Sequence, residues 1–350
     1  MNATERRYDI DWLRVVAIGL LLIYHAAIVF QPWGVFIGFI QSNESMEWLW
    51  IPMSMLNVWR IPLLFFVSGM GVCFAIGKRN WKQLIGERSR RILLPFLFGI
   101  IAIVPLHELM WQDYYSQEIS YSVSRGHLWF LGNIFAYVVL LFPVFYYLKK
   151  NAQNKVAHVI ERVMANPFSI ILVALPFVGE VVLVNPEAYE VYALSWHGFY
   201  LGFLAFLFGF IMVFVGQQFW LSIKRWRWIY FALALLLFSI RLLLFELQPP
   251  SYLLPLESIA WIYTVFAFSF KYLNQPSAIL TYLSKAAYPI YIMHMFFLYL
   301  GATMVLPFSF AVELKFLIVT LTSFIGALLV FELLIKRFSI FGALLGFVKR

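Results

Sequence analysis

About ten runs of predominantly apolar residues follow one another along this chain. A helix needs about 20 residues, rising about 1.5 Å each, to cross the hydrocarbon of a bilayer. The runs lie near 12–31, 51–76, 92–112, 128–148, 168–184, 198–219, 228–246, 252–273, 287–306 and 314–335. They are expected to be helices, because lipid offers the backbone no hydrogen-bond partner and the runs lack the period-2 alternation of a membrane barrel. Hydrophobic residues make up 63% of the chain and charged residues 12%, so no polar stretch is long enough to enclose a water-facing core. The expectation is one all-α, polytopic transmembrane domain over residues 1–350. The first run continues past Phe30 without a cleavage site and reads as a retained helix, not a signal peptide.

Charge sets the sidedness. Arg6, Arg7, Arg14, segments 78–91, 149–162 and 224–227, Lys271, Lys285 and the C-terminal tail hold most of the 26 Lys and Arg. With ten spans, all of these fall on one side. The opposite loops carry only Arg125 and Lys315, among acids such as Glu44, Glu47, Asp113, Glu118, Glu187 and Glu190. The positive-inside rule makes the basic side, and with it both termini, cytoplasmic in a multi-pass cell-membrane protein. Sidedness accounts for most of the +9 net charge, so nucleic acid is not an expected partner. The single cysteine, Cys73, lies in an apolar run, which excludes an internal disulfide and a cysteine-based metal site; no metal is expected.

An ionisable side chain inside a span costs a few kcal/mol and marks either function or structural pairing. His25 lies 11 residues after Arg14, about 16 Å deeper along a regular helix, which puts Arg14 at the cytoplasmic rim and His25 past mid-membrane. His25 reads either as a chemical group or as a hydrogen-bonding partner of a neighbouring helix. Asp11, three residues before Arg14, shares its face and orients it. Arg60, in Trp59-Arg60-Ile61-Pro62, fits a polar pocket or a structural ion pair equally well, whereas Ser68-Gly69 reads as close helix packing.

Segment 78–91 contains Lys78, Arg79, Lys82, Arg88, Arg90 and Arg91, with Arg88 and Arg91 spaced to share a helical face. Such a loop serves topology and lipid headgroups, or holds the phosphates of a nucleotide-like cofactor by charge-assisted hydrogen bonds. His127 and Trp129 open the fourth span, where Trp129 also suits an aromatic belt. His294, in Tyr291-Ile292-Met293-His294, reads as an interhelical hydrogen bond, and Glu332 equally well as a partner for Lys336 or as a chemical group. His107 beside Glu108 matches no motif, and His158 and His197 fall in expected loops. No zinc-protease, nucleophile-elbow, P-loop or dinucleotide signature is present.

The combination resembles the acyltransferase family 3 membrane proteins. The likeness is carried by Tyr8-Asp9-Ile10-Asp11-Trp12-Leu13-Arg14, the Arg14-x10-His25 spacing, Phe65-Phe66-Val67-Ser68-Gly69, Arg88-x-x-Arg91, His127 to Leu131, and Tyr291-x-x-His294. Trp59-Arg60 and the compact outer loops look most like the subgroup that succinylates osmoregulated periplasmic glucans. The resemblance implies a ten-helix domain that takes an acyl group from cytoplasmic acyl-CoA and delivers it to a hydroxyl, often of a carbohydrate, on the far side. In that reading the membrane is a bacterial inner membrane, His25 is the catalytic base and Arg14 lies at the donor site. The chain ends at Arg350 without the extra span and hydrolase-like domain some relatives add, so a partner protein for acceptor delivery is an open expectation.

Residue chemistry agrees with these roles. A neutral imidazole accepts the proton of an acceptor hydroxyl. Arg88, Arg90 and Arg91 suit the CoA phosphates, and Arg60, Ser68 and Trp129 are candidate donors to the oxyanion. The competing readings are a small-solute transporter or lipid flippase, and a non-catalytic assembly factor. Transporters are often built from two related halves, yet Arg14, His25, Arg60 and the arginine cluster all precede residue 92.

Overall fold

The structure, a computed structural model, describes residues 6–77 and 79–347. Lys78 of the basic loop and both chain ends, whose cytoplasmic placement the charge pattern predicts, lie outside the described residues. The regular secondary structure of the described residues is helical: α1 Tyr8–Ile28, α2 Glu47–Ile76, α3 Trp81–Tyr114, α4 Gly126–Lys150, α5 Lys155–Ala165, α6 Ser169–Val184, α7 Trp196–Phe214, α8 Gln217–Leu244, α9 Ser251–Tyr272, α10 Ala278–Val305, α11 Val312–Ile335 and α12 Ser339–Leu344.

Among the described residues nine helices are long and apolar enough to cross a membrane, and α5 with α6 makes a tenth if that pair, bent by 100°, is one crossing. Each expected run therefore coincides with a helix. The run at 168–184 is the short one: α6 has 16 residues, about 24 Å of rise. The segment before it, expected as a loop, is α5, whose first turn is capped by the Asn154 side chain accepting from the Ala157 N–H at 2.9 Å. His158 consequently lies on a helix. His197 does too, because Ser195 caps α7 through the Gly198 N–H at 2.9 Å and starts the helix ahead of the expected run.

The chain forms two compact units. The first holds the chain up to Arg14, Ser54–Gly86 and Asn133–Leu280; the second holds Val15–Met53, Glu87–Gly132 and the chain from Thr281. In the first unit α2 and α7 approach closely through small residues. A Cβ on Gly69 would lie 1.9 Å from the Phe206 carbonyl oxygen, and one on Gly209 would lie 2.0 Å from that of Phe66. The Ser68-Gly69 packing expectation rests on this contact.

The second unit is centred on apolar side chains from the end of α1, the loop after it, the first turns of α2, α10 and α11, including Phe30, Phe39, Ile40, Met53, Leu298 and Val319. That loop folds back on its own unit. The Ser42 and Met46 N–H groups bond to the Val29 and Phe30 carbonyls at 2.7 and 2.8 Å, and buried Lys315 meets Glu44 at 2.6 Å.

Helix α3 shows how proline shapes this unit. A proline cannot donate to the carbonyl four residues back, and its ring crowds that carbonyl. The carbonyls facing Pro95 and Pro105 are those of Arg91 and Ile101, and each lies in a widened π turn, Ser89–Leu93 and Gly99–Ile103. The Ile101 carbonyl released in this way accepts the Tyr121 hydroxyl at 2.9 Å.

Candidate active site

Four of the six histidines gather in the second unit. His25, on the last turn of α1, places its Nδ1 2.9 Å from Nε2 of His294 on α10. The two rings are 5.2 Å apart and inclined by only 16°. His127, at the start of α4, stands 5.2 Å from His294 and 5.4 Å from His107 of α3. His107 meets Tyr299 at 5.1 Å, Tyr299 meets Phe39 at 6.0 Å, and Phe39 returns to His25 at 5.7 Å. Six rings thus form a closed circuit. His107, which matched no motif, belongs to it because the π turns of α3 set the phase of the helix beyond them, and no residue spacing encodes that.

Backbone groups pin the circuit. The Tyr291 hydroxyl donates to the His127 carbonyl at 2.6 Å, and His127 Nε2 lies 3.1 Å from the Ile292 carbonyl. A carbonyl only accepts, so Nε2 carries the His127 proton and Nδ1 is the bare acceptor. That Nδ1 is buried and has no hydrogen-bond partner among the described residues. Close packing supports the arrangement: a Cβ on Gly99 of α3 would lie 2.2 Å from Leu128 Cδ1. Trp129 is buried and lies edge-on to Phe130, whose ring meets Tyr291 at 6.2 Å.

The basic segment behaves differently from its expected helical face. The π turn Ser89–Leu93 separates Arg88 from Arg91, which changes the angle between them, and Arg91 pairs with Glu87 at 3.3 Å instead. Arg90 is exposed and Arg88 half-buried. In the same unit, Glu332 meets Lys336 at 3.0 Å, as its i,i+4 spacing predicts, and also accepts the Tyr282 hydroxyl at 2.8 Å.

The first unit holds the remaining expected residues. Arg14 lies 3.7 Å from Asp11, which also receives the Arg6 guanidinium at 2.8 Å. Arg60 is buried, with Nη2 3.4 Å from the Asn57 side-chain oxygen. Ser68 donates its hydroxyl to the Leu64 carbonyl at 2.7 Å within its own helix. Its proton is already committed, so it is not a ready oxyanion donor.

This unit also contains a buried ion pair and a buried histidine–glutamate hydrogen bond that sequence reading passed over. Arg241 of α8 makes a two-point contact with Glu257 of α9, at 2.7 and 2.9 Å, and donates to the Ser54 carbonyl at 3.1 Å. His197 presents Nδ1 to both Glu180 oxygens at 3.0 Å and Nε2 to the Tyr189 carbonyl at 3.0 Å. Burial pushes the Tyr189 phenol well above its ordinary range, so it stays protonated beside them. Among the described residues no group of three or more His, Cys, Asp or Glu side chains is arranged to hold a metal ion.

No curated protein and no solved structure matches the chain. A family model does: residues 7–334 match the family 3 acyltransferase domain. The match runs through both units and takes in every site residue named above, and on it the chain belongs to acyltransferase family 3.

Proposed function

We propose that this membrane acyltransferase is an O-acyltransferase that moves an acetyl- or succinyl-type group from cytoplasmic acyl-CoA to a hydroxyl of an extracytoplasmic carbohydrate. The observation that supports the reading best is His25, an imidazole on an apolar helix whose partner is a second imidazole. In the reaction His25 takes the proton of the acceptor hydroxyl while that oxygen attacks the thioester carbon. The resulting tetrahedral intermediate collapses as the carbon–sulfur bond breaks. His25 returns the proton to the departing thiolate, so an ester and free CoA thiol leave and the enzyme is regenerated.

Arg88, Arg90 and Arg91 are the proposed partners of the donor's phosphates, Arg90 as the exposed cation and Arg91 after exchanging Glu87 for phosphate. Arg14 is assigned to the donor by the family likeness. Trp129 and Arg60 remain the proposed supporting donors, and the side carrying the basic segment is proposed to be cytoplasmic. The test is purified protein given acyl-CoAs labelled in the acyl group together with extracted envelope glycans. Label is expected in an ester on the glycan. Label released only as free acid, or no consumption of any acyl-CoA, would count against the proposal.

A further inference from the structure

The corner between α5 and α6 holds α5 nearly at right angles to an apolar helix. Pro167 has no N–H with which to continue α5, and it forces the residue before it to be extended; Asn166 accordingly has φ −74° and ψ 137°. The Asn166 side chain accepts the Phe168 N–H at 2.9 Å, and the Tyr230 hydroxyl of α8 donates to the Pro167 carbonyl at 2.9 Å. These bonds brace the 100° bend. Helix α6 is predominantly apolar, whereas α5, with 11 residues, rises only about 16 Å, too little to cross a bilayer. With α6 in the hydrocarbon, the bend leaves α5 running along the membrane surface.

Three unlike faces meet on this short helix. Ala157 and Met164, seven residues apart, are buried, and α5 packs against α8. Val156, Val159 and Val163, spaced by three and four, share a second face and are exposed, Val159 by 60%; exposed Phe168 follows at the corner. Lys155, His158, Glu161 and Arg162 hold the third face. Glu161, the single acid in the sequence of α5, lies 3.8 Å from His158. Lys155 and Arg162 are exposed and have no acidic partner among the described residues. A valine row bordered by cations, on a helix held along the surface by its corner, is the arrangement of an interfacial helix. From it we infer that α5 is an anionic-lipid contact: Val156, Val159 and Val163 lie among the upper acyl chains, and Lys155 and Arg162 meet the phosphates of anionic phospholipids. The valines then leave water, and the two long cations reach up to the headgroups, where attraction to a negative surface adds to the apolar contact. The inference does not depend on the acyl-transfer reaction.

The experiment uses the full chain carrying Cys73→Ser and one new cysteine, Val159→Cys or Glu161→Cys, labelled with a fluorophore and reconstituted in vesicles of phosphatidylcholine and phosphatidylglycerol. Neither new cysteine is on the buried face of α5. The label at 159 should be quenched by lipids brominated on their acyl chains and spared by a water-soluble nitroxide, and the label at 161 should show the reverse. At 159, brominated phosphatidylglycerol should quench more than an equal fraction of brominated phosphatidylcholine, by about twofold or more, and Lys155→Gln with Arg162→Gln should bring that ratio to about one. A label at 159 open to the water-soluble nitroxide overturns the inference, because α5 then stands in water. A label at 159 shielded from both quenchers also overturns it, because protein, such as a second copy of the chain, then covers the valines. Equal lipid quenching at 159 and 161 would make α5 part of a crossing, and a phosphatidylglycerol preference that is absent, or that survives loss of both cations, would remove the anionic-lipid contact.

Discussion

His197 and His25 are both histidines on membrane helices, one in each unit, and they differ in the kind of group they meet. His197 gives both ring nitrogens to oxygen acceptors, the Glu180 carboxylate and the Tyr189 carbonyl. Both of its ring nitrogens are engaged within the fold. His25 places its Nδ1 2.9 Å from Nε2 of another imidazole, His294. In the first unit, then, charge is matched by charge within the fold: Arg241 and Glu257 are both buried and meet at two points. In the second unit imidazole meets imidazole, His25 with His294, and the buried Nδ1 of His127 has no hydrogen-bond partner among the described residues. The first pattern holds helices together; the second is the one to which the proposed proton transfer is assigned.

The largest expected effect extends the comparison within the first unit. Glu257→Ala leaves Arg241 buried without its carboxylate, and breaking such a pair costs about 3–5 kcal/mol. Folded yield and thermal midpoint should fall sharply, while turnover per folded molecule stays within a few-fold of the parent. A stable but inactive Glu257→Ala protein would erase the division of labour drawn here. A smaller effect is expected at the donor end of the second unit. Arg88→Gln with Arg91→Gln should weaken acyl-CoA binding by about tenfold, roughly the worth of one charge-assisted hydrogen bond, with the protein folded and inserted. Unchanged donor affinity, measured by calorimetry, would return these arginines to membrane sidedness alone. The smallest effect belongs to Tyr121→Phe. It removes the hydroxyl from the Ile101 carbonyl and should cost no more than about 1 kcal/mol in an unfolding titration, since water can replace an exposed donor.

Much of this fold is legible in the sequence because membrane insertion is read from hydropathy. Each apolar run meets a helix, and Ser68-Gly69 marks a close helix approach that the Gly69–Phe206 contact makes explicit. The candidate site was legible in part. His25, His127 and His294 stand out as polar groups in apolar runs, and the structure brings them together. His107 joins them only because α3 is rephased by π turns at Pro95 and Pro105, and periodicity does not count such turns. Arg241 with Glu257 and Glu180 with His197 are separated by 16 and 17 residues and sit on different helices, so the helix pairing chosen by packing, not any local pattern, makes them partners.

The central claim is the proposal that His25, and not any buried imidazole as such, is the base of the reaction. It is tested most directly by measuring turnover and thermal stability side by side in His25→Ala and His197→Ala, each corrected for folded protein. The account predicts that His25→Ala loses about 100-fold or more in turnover, as expected for a positioned general base, with little change in thermal midpoint. His197→Ala should do the reverse: it strands Glu180 among buried groups, lowers the midpoint, and leaves turnover per folded molecule within a few-fold of the parent. Turnover within a few-fold of the parent in well-folded His25→Ala, or abolished turnover in well-folded His197→Ala, would contradict it.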